Sequence, residues 1–264
     1  MVFILFIALL ITRFWGAGQQ YADFQHPFFN NASPVIFIKA KSEADITEAI
    51  AAKADVAIWL NVETTHDKKV IVFSKEFLQS EMSLESYRGP RSMAYDLQKL
   101  QLIHPEMKEL REVLTKFPKQ RFLLNLMDNV DHVHLWLTEA TKGLKGEKRF
   151  ILQSDYNVVL SSIKEIEPFW LYGSSQADLM RFMAFESMWI LPAAPFNGDV
   201  FVSPFKLLKR PAFSDDIITD LRRRKKKIVL GPAVDKAEFD DASRLKADGI
   251  VVDKLSDFSA WTRP

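Results

Sequence analysis

Polar residues at the ends of apolar runs are concentrated in residues 54–78. Residues 56–60 form an unbroken apolar run, which is typical of a strand buried on both faces of a parallel sheet. In an α/β barrel, the chemistry takes place at the carboxyl ends of such strands. Trp59, Asn61 and Ser74 stand at these ends, and none of them is charged. The strand ends therefore offer hydrogen bonds, but no acid, base or anionic metal ligand.

A second group of polar residues follows the predicted strand 121–127. Asp128, Asp131, His132 and His134 are residue types that bind zinc or manganese, so a metal site is conceivable here. The two histidines are two positions apart at a predicted helix start, however, and point to different sides. We therefore favour helix N-capping by Asp128 or Asp131. His66, in a polar turn, is predicted to be solvent-exposed.

A run of basic residues precedes the predicted strand 228–234. Near a helix C-terminus, positive charge interacts favourably with the helix dipole, so a solvated helix end is the favoured interpretation. The alternative is contact with a membrane surface, because anionic lipid attracts clustered basic side chains. The residues concerned are Arg222, Arg223, Arg224, Lys225, Lys226 and Lys227.

Strand and helix signals alternate from residue 35 onward, which favours a parallel sheet surrounded by helices. There are nine strand candidates, whereas a closed barrel needs eight. Residues 70–74 follow the preceding strand too closely for a helical crossover, so one of this pair is expected in a hairpin. An open doubly wound sheet is the runner-up, but no glycine-rich phosphate loop follows any strand. We predict the α/β class, with a (β/α)8 TIM barrel over residues 35–264.

The composition excludes several function classes. A net charge of +1 gives no reason to expect nucleic acid as a partner. The chain has no cysteine, which excludes disulfides, thiolate metal sites and cysteine nucleophiles. A chain of 264 residues is long enough for one barrel domain.

The N-terminal segment predicts export or membrane attachment. Residues 2–11 are apolar throughout, a run shorter than the roughly 20 residues that span a bilayer but suited to the apolar region of a signal peptide. Gly16 and Gly18 could form a cleavage site, although no basic residue precedes the run. We expect residues 1–18 to be a signal peptide or an uncleaved anchor, and residues 19–34 to be a linker. The protein would then be periplasmic, extracellular or membrane-anchored.

Four stretches of the sequence, taken in order, resemble the motifs of one known protein family. ADVAIWLNVETTHDKKVIVFSKEFL is similar to the family's second-strand motif and the V-V-x-H-D that follows. LREVLTKFPKQRFLLNLMD resembles the segment leading into its I-E-I-K strand, and RFILQSDYNVVLSSIKEIEP resembles its Q-S-F strand and helix. KADGIVVDKLSDF is similar to the terminal G-V-D-G-I-I-T-D-x-P. The family that these stretches resemble is the glycerophosphodiester phosphodiesterases, a branch of the phospholipase C-like barrels, and the resemblance covers about residues 35–258.

The resemblance implies a reaction in which carboxylates hold a divalent cation on the phosphodiester and histidines transfer protons. The matching positions hold none of these acids or histidines. The family's H-R-G falls on Ile38, Lys39 and Ala40, its E-x-D on Trp59, Leu60 and Asn61, its H-D on Ser74 and Lys75, and its E-x-K on Asn125, Leu126 and Met127. We therefore expect no catalytic residue and no bound metal at the family positions.

The first functional hypothesis is a barrel that binds and does not cleave. A phosphate-bearing or lipid-derived molecule would contact Lys39, Trp59, Asn61, Ser74 and Asn125. A filled pocket in a structural or protein-binding module is a variant of this hypothesis. The alternative is a divergent phosphodiesterase that hydrolyses glycerophosphodiesters, with Ca²⁺ or Mg²⁺ held at a relocated site through Asp128 or Glu63.

Overall fold

The computed structural model describes residues 2–22, 25–29, 34–53, 55–73 and 91–262. Its strands are β1 (Val35–Lys39), β2 (Val56–Thr64), β3 (Val70–Val72), β4 (Lys108–Glu109), β5 (Arg121–Leu126), β6 (Phe150–Gln153), β7 (Leu171–Tyr172), β8 (Val200–Ser203), β9 (Lys206–Leu207), β10 (Arg210–Pro211), β11 (Lys227–Ala233) and β12 (Gly249–Val252). Its helices are α1 (Val2–Gly18), α2 (Glu43–Ala52), α3 (Leu97–Ile103), α4 (Leu110–Lys116), α5 (Val133–Thr141), α6 (Gly146–Arg149), α7 (Asn157–Ile166), α8 (Gln176–Ser187), α9 (Asp215–Arg223), α10 (Lys236–Arg244) and α11 (Leu255–Trp261).

Eight parallel strands form a nearly closed barrel. Their spatial order is β7-β6-β5-β2-β1-β12-β11-β8. Between the two end strands, the Asp199 backbone N–H donates to the Tyr172 carbonyl over 2.7 Å. The Ser174 hydroxyl lies between the backbone N–H and the carbonyl of Val202 and bonds to both. The predicted (β/α)8 barrel is confirmed.

Successive residues of each barrel strand point to opposite sides, so the strands contribute to two separate hydrophobic cores. Residues such as Phe37, Leu123 and Val229 fill the barrel interior. Their neighbours in the chain, such as Ile36 and Leu124, pack against the surrounding helices. Both strand faces are therefore covered, which is why the strands read as continuous apolar runs.

Strand β2 continues past the barrel into an antiparallel hairpin. Val62, Glu63 and Thr64 pair with Val72, Ile71 and Val70 of β3. Strand β3 in turn pairs with β4. The predicted hairpin is confirmed, and α4 follows β4 directly, beginning at Leu110.

The N-terminal segment packs on the end of the barrel at which the strands begin. Helix α1 contacts the turn at Leu191–Ala193, which precedes β8. Farther along, Phe28 is fully buried in the interior core and its ring stacks on Phe37. The segment predicted as a linker thus contributes a core residue to the barrel. Within the described part of the chain, no helix combines the length and apolarity needed to cross a membrane.

Candidate functional site

The candidate site is the inner wall of the barrel where the strands end. Strand pairing places Lys39 beside Trp59, and Asn61 beside Asn125, which in turn lies beside Gln153 of β6. Because alternate residues face the same side of a strand, these residues follow the interior residues Phe37, Leu123 and Ile151 into the opening. Ser74 lies outside the described residues.

A hydrogen-bonded network joins four residues that occupy matched family positions. The Asn61 Oδ1 atom accepts from Trp59 Nε1 over 2.9 Å and from Asn125 Nδ2 over 3.0 Å. Asn125 Nδ2 also contacts the Met127 sulfur at 3.0 Å. Trp59 is only 9% exposed and belongs to the interior core, whereas Met127 is 45% exposed. Trp59 therefore closes the barrel interior from above, and the two amides and Met127 form the surface over it.

The basic residue at this end is partly compensated. Lys39 Nζ lies 3.8 Å from the Asp253 carboxylate, which follows β12. Both side chains remain partly exposed, and they border a cavity of about 290 Å³ between α2 and α11. A cation beside a single carboxylate can still donate hydrogen bonds to an anionic group.

Ile38, at the position matched to the family histidine, does not face the barrel opening. Its side chain is 2% exposed and packs in the helix-facing core. The position therefore points away from the opening, while the adjacent Lys39 points toward it. Alternation along β1 gives the physical reason, because only every second residue of a strand faces the interior.

Sequence reasoning missed Gln153 and Asp253. Gln153 is 6% exposed, and its Nε2 donates to the Ser174 carbonyl over 2.6 Å. Each of them lies two positions after an interior residue, Ile151 or Val251, and alternation along the strand therefore places it at the barrel opening.

Asp128 is a buried carboxylate below the hairpin. It accepts hydrogen bonds from the Thr64 hydroxyl at 2.7 Å and from the Thr64 backbone N–H. Burial, assisted by the nearby charge of Glu63, raises the pKa of Asp128 to about 6. The prediction that Asp128 caps the following helix is wrong, since α5 has His132 at its N-cap with φ of 66°. Asp128 instead joins β5 to β2.

The remaining histidines do not form a metal centre with these residues. The rings of His132 and His134 lie 6.4 Å apart at 49° to each other. His66 is exposed, as predicted, and its Nδ1 lies 3.1 Å from Asp96. Across the described ranges, no group of three or more histidine or acidic side chains could hold a metal ion.

Much of the basic run 222–227 is engaged inside the protein. Arg224 is 4% exposed, pairs with Asp220 at 2.7 Å, and donates to the carbonyls of Leu191, Pro192 and Ala194. Lys226 donates to the Gly198 carbonyl and Lys227 pairs with Asp248. Arg222, Arg223 and Lys225 keep exposed or partly exposed side chains.

Comparison with solved structures identifies the fold. A glycerophosphodiester phosphodiesterase from Agrobacterium tumefaciens superposes with a TM-score of 0.62 at 15% identity, covering 86% of this chain and 98% of the other. The enzyme of that name from Thermotoga maritima gives 0.58 at 16% identity, covering 88% and 99%. An Oleispira antarctica phosphodiesterase, solved with the product sn-glycerol-3-phosphate, gives 0.60 at 12%, covering 86% and 96%. This chain has the glycerophosphodiester phosphodiesterase fold. No protein-family model and no curated protein matches the sequence.

The side chains at the strand ends of this glycerophosphodiester phosphodiesterase fold offer few oxygen ligands for a divalent cation. Hard cations need several oxygen ligands, with carboxylates supplying much of the affinity. Asn61 Oδ1 already accepts two N–H donors, so its coordination of a cation would break both bonds. Lys39 adds positive charge at the same end. Among the described residues, the family positions therefore do not fit a divalent cation.

Proposed function

We propose that this protein is a glycerophosphodiester phosphodiesterase-like barrel that binds a phosphate-bearing or lipid-derived molecule without cleaving it. The observation that carries the proposal is the closed network around Asn61, in which amide and indole groups bond to one another. Such a network can recognise a ligand by hydrogen bonds. It supplies no carboxylate for a cation and no proton donor for a leaving alkoxide.

The ligand would lie over Trp59, with Lys39 as its charged contact. The lysine supplies charge-assisted hydrogen bonds to a phosphate oxygen, and the partly exposed faces of Asn61 and Asn125 supply neutral ones. A protein partner seated on the same opening is the variant of this proposal. Ser74, which follows the hairpin, belongs to the proposed contacts by sequence alone.

A second candidate is a divergent metal-dependent phosphodiesterase. Asp128 favours it, because a carboxyl with a pKa raised to about 6 beside another acid is the kind of group that active sites use. In this alternative Asp128 or Glu63 would belong to a relocated site for Ca²⁺ or Mg²⁺. Its bonds to Thr64 favour a structural role for Asp128, since they connect two strands.

The deciding experiment measures turnover and binding on the full chain. Hydrolysis of a panel of glycerophosphodiesters is followed with Ca²⁺, Mg²⁺, Mn²⁺ or chelator, and calorimetry measures binding of sn-glycerol 3-phosphate. We expect no turnover in any condition, and binding that weakens roughly tenfold or more in Lys39→Met, the loss of one charge-assisted hydrogen bond. Lys148→Met is the matched control, since that exposed lysine lies at the opposite end of the barrel.

Two outcomes would overturn the proposal. Metal-dependent turnover that disappears in Asp128→Asn would establish the second candidate. Absence of both turnover and binding would exclude a small phosphate ligand, and the variant with a protein partner would then be tested.

A further inference from the structure

Helix α1 is attached to the barrel along one face. Gly16 is buried, and a Cβ atom at that position would lie 2.3 Å from the Pro192 carbonyl oxygen, so only glycine allows this close approach. One turn earlier, the Arg13 guanidinium lies 4.3 Å from the centre of the Trp189 ring and donates to the Trp189 carbonyl over 2.8 Å. Arg223 donates to the carbonyl of Ala17, just after this contact. The helix end is therefore held by packing, a cation–π contact and hydrogen bonds.

The opposite face of α1 is an exposed apolar stripe. Its members are between 40% and 74% exposed. They recur at spacings of three and four residues, which places them on one side of a helix. Arg13 and Gly16 lie on the other side. The stripe consists of Ile4, Ile7, Ile11, Phe14 and Trp15.

The composition of this end of the protein fits a bilayer surface. Contiguous exposed apolar side chains of this kind mark sites of interaction with proteins or membranes. Trp15 and the half-exposed Trp189 are of the residue type that concentrates at membrane–water interfaces. Helix α1 contains no acidic residue, and Arg13 is its only charge.

Two basic residues near the helix, neither of them on the stripe, favour a bilayer that contains anionic lipid. Arg13 lies on α1 itself, and the exposed Lys225 borders a pocket with Tyr21, just beyond the helix. Anionic headgroups beside a stripe inserted in the bilayer surface would complement these charges. A helix with one apolar face and a docked opposite face suits a position in the plane of the interface.

We propose that α1 is retained in the mature protein and lies in the surface of a lipid bilayer through its exposed stripe. The end of the barrel at which the strands begin then faces the membrane, and the opening with Asn61 and Asn125 faces water. Retention follows from the docking, because removal of residues 1–18 would uncover the surface that Gly16 covers at Pro192. The proposal concerns a surface remote from the strand-end site and is independent of the function proposed for that site.

The test uses the full chain and two matched double variants. Flotation with phosphatidylcholine vesicles, with and without phosphatidylglycerol, measures the partition coefficient. Ile11→Gln with Trp15→Gln removes two apolar side chains of the stripe. Leu102→Gln with Ile103→Gln removes two exposed apolar side chains of α3, away from the stripe. Thermal unfolding of both variants checks that each one folds.

We expect the full chain to float with vesicles, more strongly with the anionic lipid. The stripe variant should partition at least roughly tenfold more weakly, since burying one large apolar side chain corresponds to about that factor. The α3 variant should partition like the unchanged chain. Equal partitioning of the two variants, no flotation, or a dimer that the stripe variant dissociates would overturn the proposal. So would an intact mass showing that the membrane-bound protein lacks residues 1–18.

Discussion

Replacement of Phe28 by alanine tests whether the N-terminal segment completes the barrel. The ring is fully buried among interior residues, stacks at 6.0 Å on Phe37 and contacts Phe29 at 5.2 Å. The Arg121 guanidinium lies 5.4 Å from the ring centre and also donates to the Phe28 carbonyl. Burial on all sides predicts the full cost of a large-to-small core replacement, about 3–5 kcal/mol. For a domain of this size, that loss lowers Tm by roughly 6–20 °C.

The assay is urea unfolding followed by tryptophan fluorescence, with thermal unfolding as a second measurement. The slope of free energy against urea should stay unchanged, because the variant alters the stability and not the surface exposed on unfolding. Phe169→Ala is the matched control, since this ring is 79% exposed and its removal should change stability by less than about 0.5 kcal/mol. A loss below about 1 kcal/mol for Phe28→Ala would refute the reasoning, and residues 19–34 would then only connect α1 to the barrel.

Three further changes test the site and the buried charges. Asn61→Leu leaves two N–H donors without their acceptor and should lower the free energy of unfolding by about 1–3 kcal/mol in urea titrations. Asn61→Asp keeps an acceptor and is the control. Equal losses of stability in the two variants would contradict the network. Burial raises the pKa of Asp128 from 3.8 to about 6, so the folded state keeps a proton that the unfolded chain has lost between these values. The stability contributed by this group is therefore fully present below pH 3.8 and is lost as the pH rises through 6, and the loss amounts to roughly 3 kcal/mol at most. Asp128→Asn should flatten this pH dependence of the free energy of unfolding. An unchanged pH profile would exclude Asp128 as its source. Arg224→Met leaves Asp220 paired with Arg223 alone and removes the donor to the carbonyls of Leu191 and Ala194, so it should lower the free energy of unfolding by about 1–3 kcal/mol. A loss no larger than that of the exposed Arg222→Met would contradict this role.

The sequence predicts the barrel well because its strands are covered on both faces. Apolar runs bounded by polar turns define strands such as Val35–Lys39, which begins where the alternation of strand and helix signals is predicted to start. The N-caps are equally local, so Ser42 and Ser214 cap α2 and α9 as their sequence positions indicate. Local signals of this kind need no knowledge of what lies across the sheet.

The arrangement of the site depends on strand register, which a single sequence does not contain. Asn61 and Asn125 are 64 positions apart, and only the pairing of β2 with β5 brings their amides to 3.0 Å. The prediction that Asp128 caps α5 is wrong because Asp128 bonds across the sheet to Thr64 and not to the backbone that follows it. Where a side chain has two possible sets of hydrogen-bond partners, tertiary packing decides between them, and the position in the sequence does not.

The basic run illustrates the same limit for charge. Six consecutive cations at a predicted helix end suggest solvent, yet Arg224 is buried beneath the turn at Leu191–Ala193. That turn presents several carbonyl groups to it, and a guanidinium carries five N–H donors in a planar arrangement that can satisfy them together. The distribution of such a run between water and core is a property of the tertiary structure.

The closure between β7 and β8 has a consequence for which substitutions the barrel can tolerate. Elsewhere around the barrel, ladders of backbone hydrogen bonds pair the neighbouring strands. At this one junction, the hydroxyl of Ser174 and the carboxylate of Asp199 take over part of that pairing, by bonding to Val202 and to the Tyr172 backbone N–H. Sequence drift that is neutral on other strands is therefore restricted here, because a change of side chain at either position also removes a link between neighbouring strands.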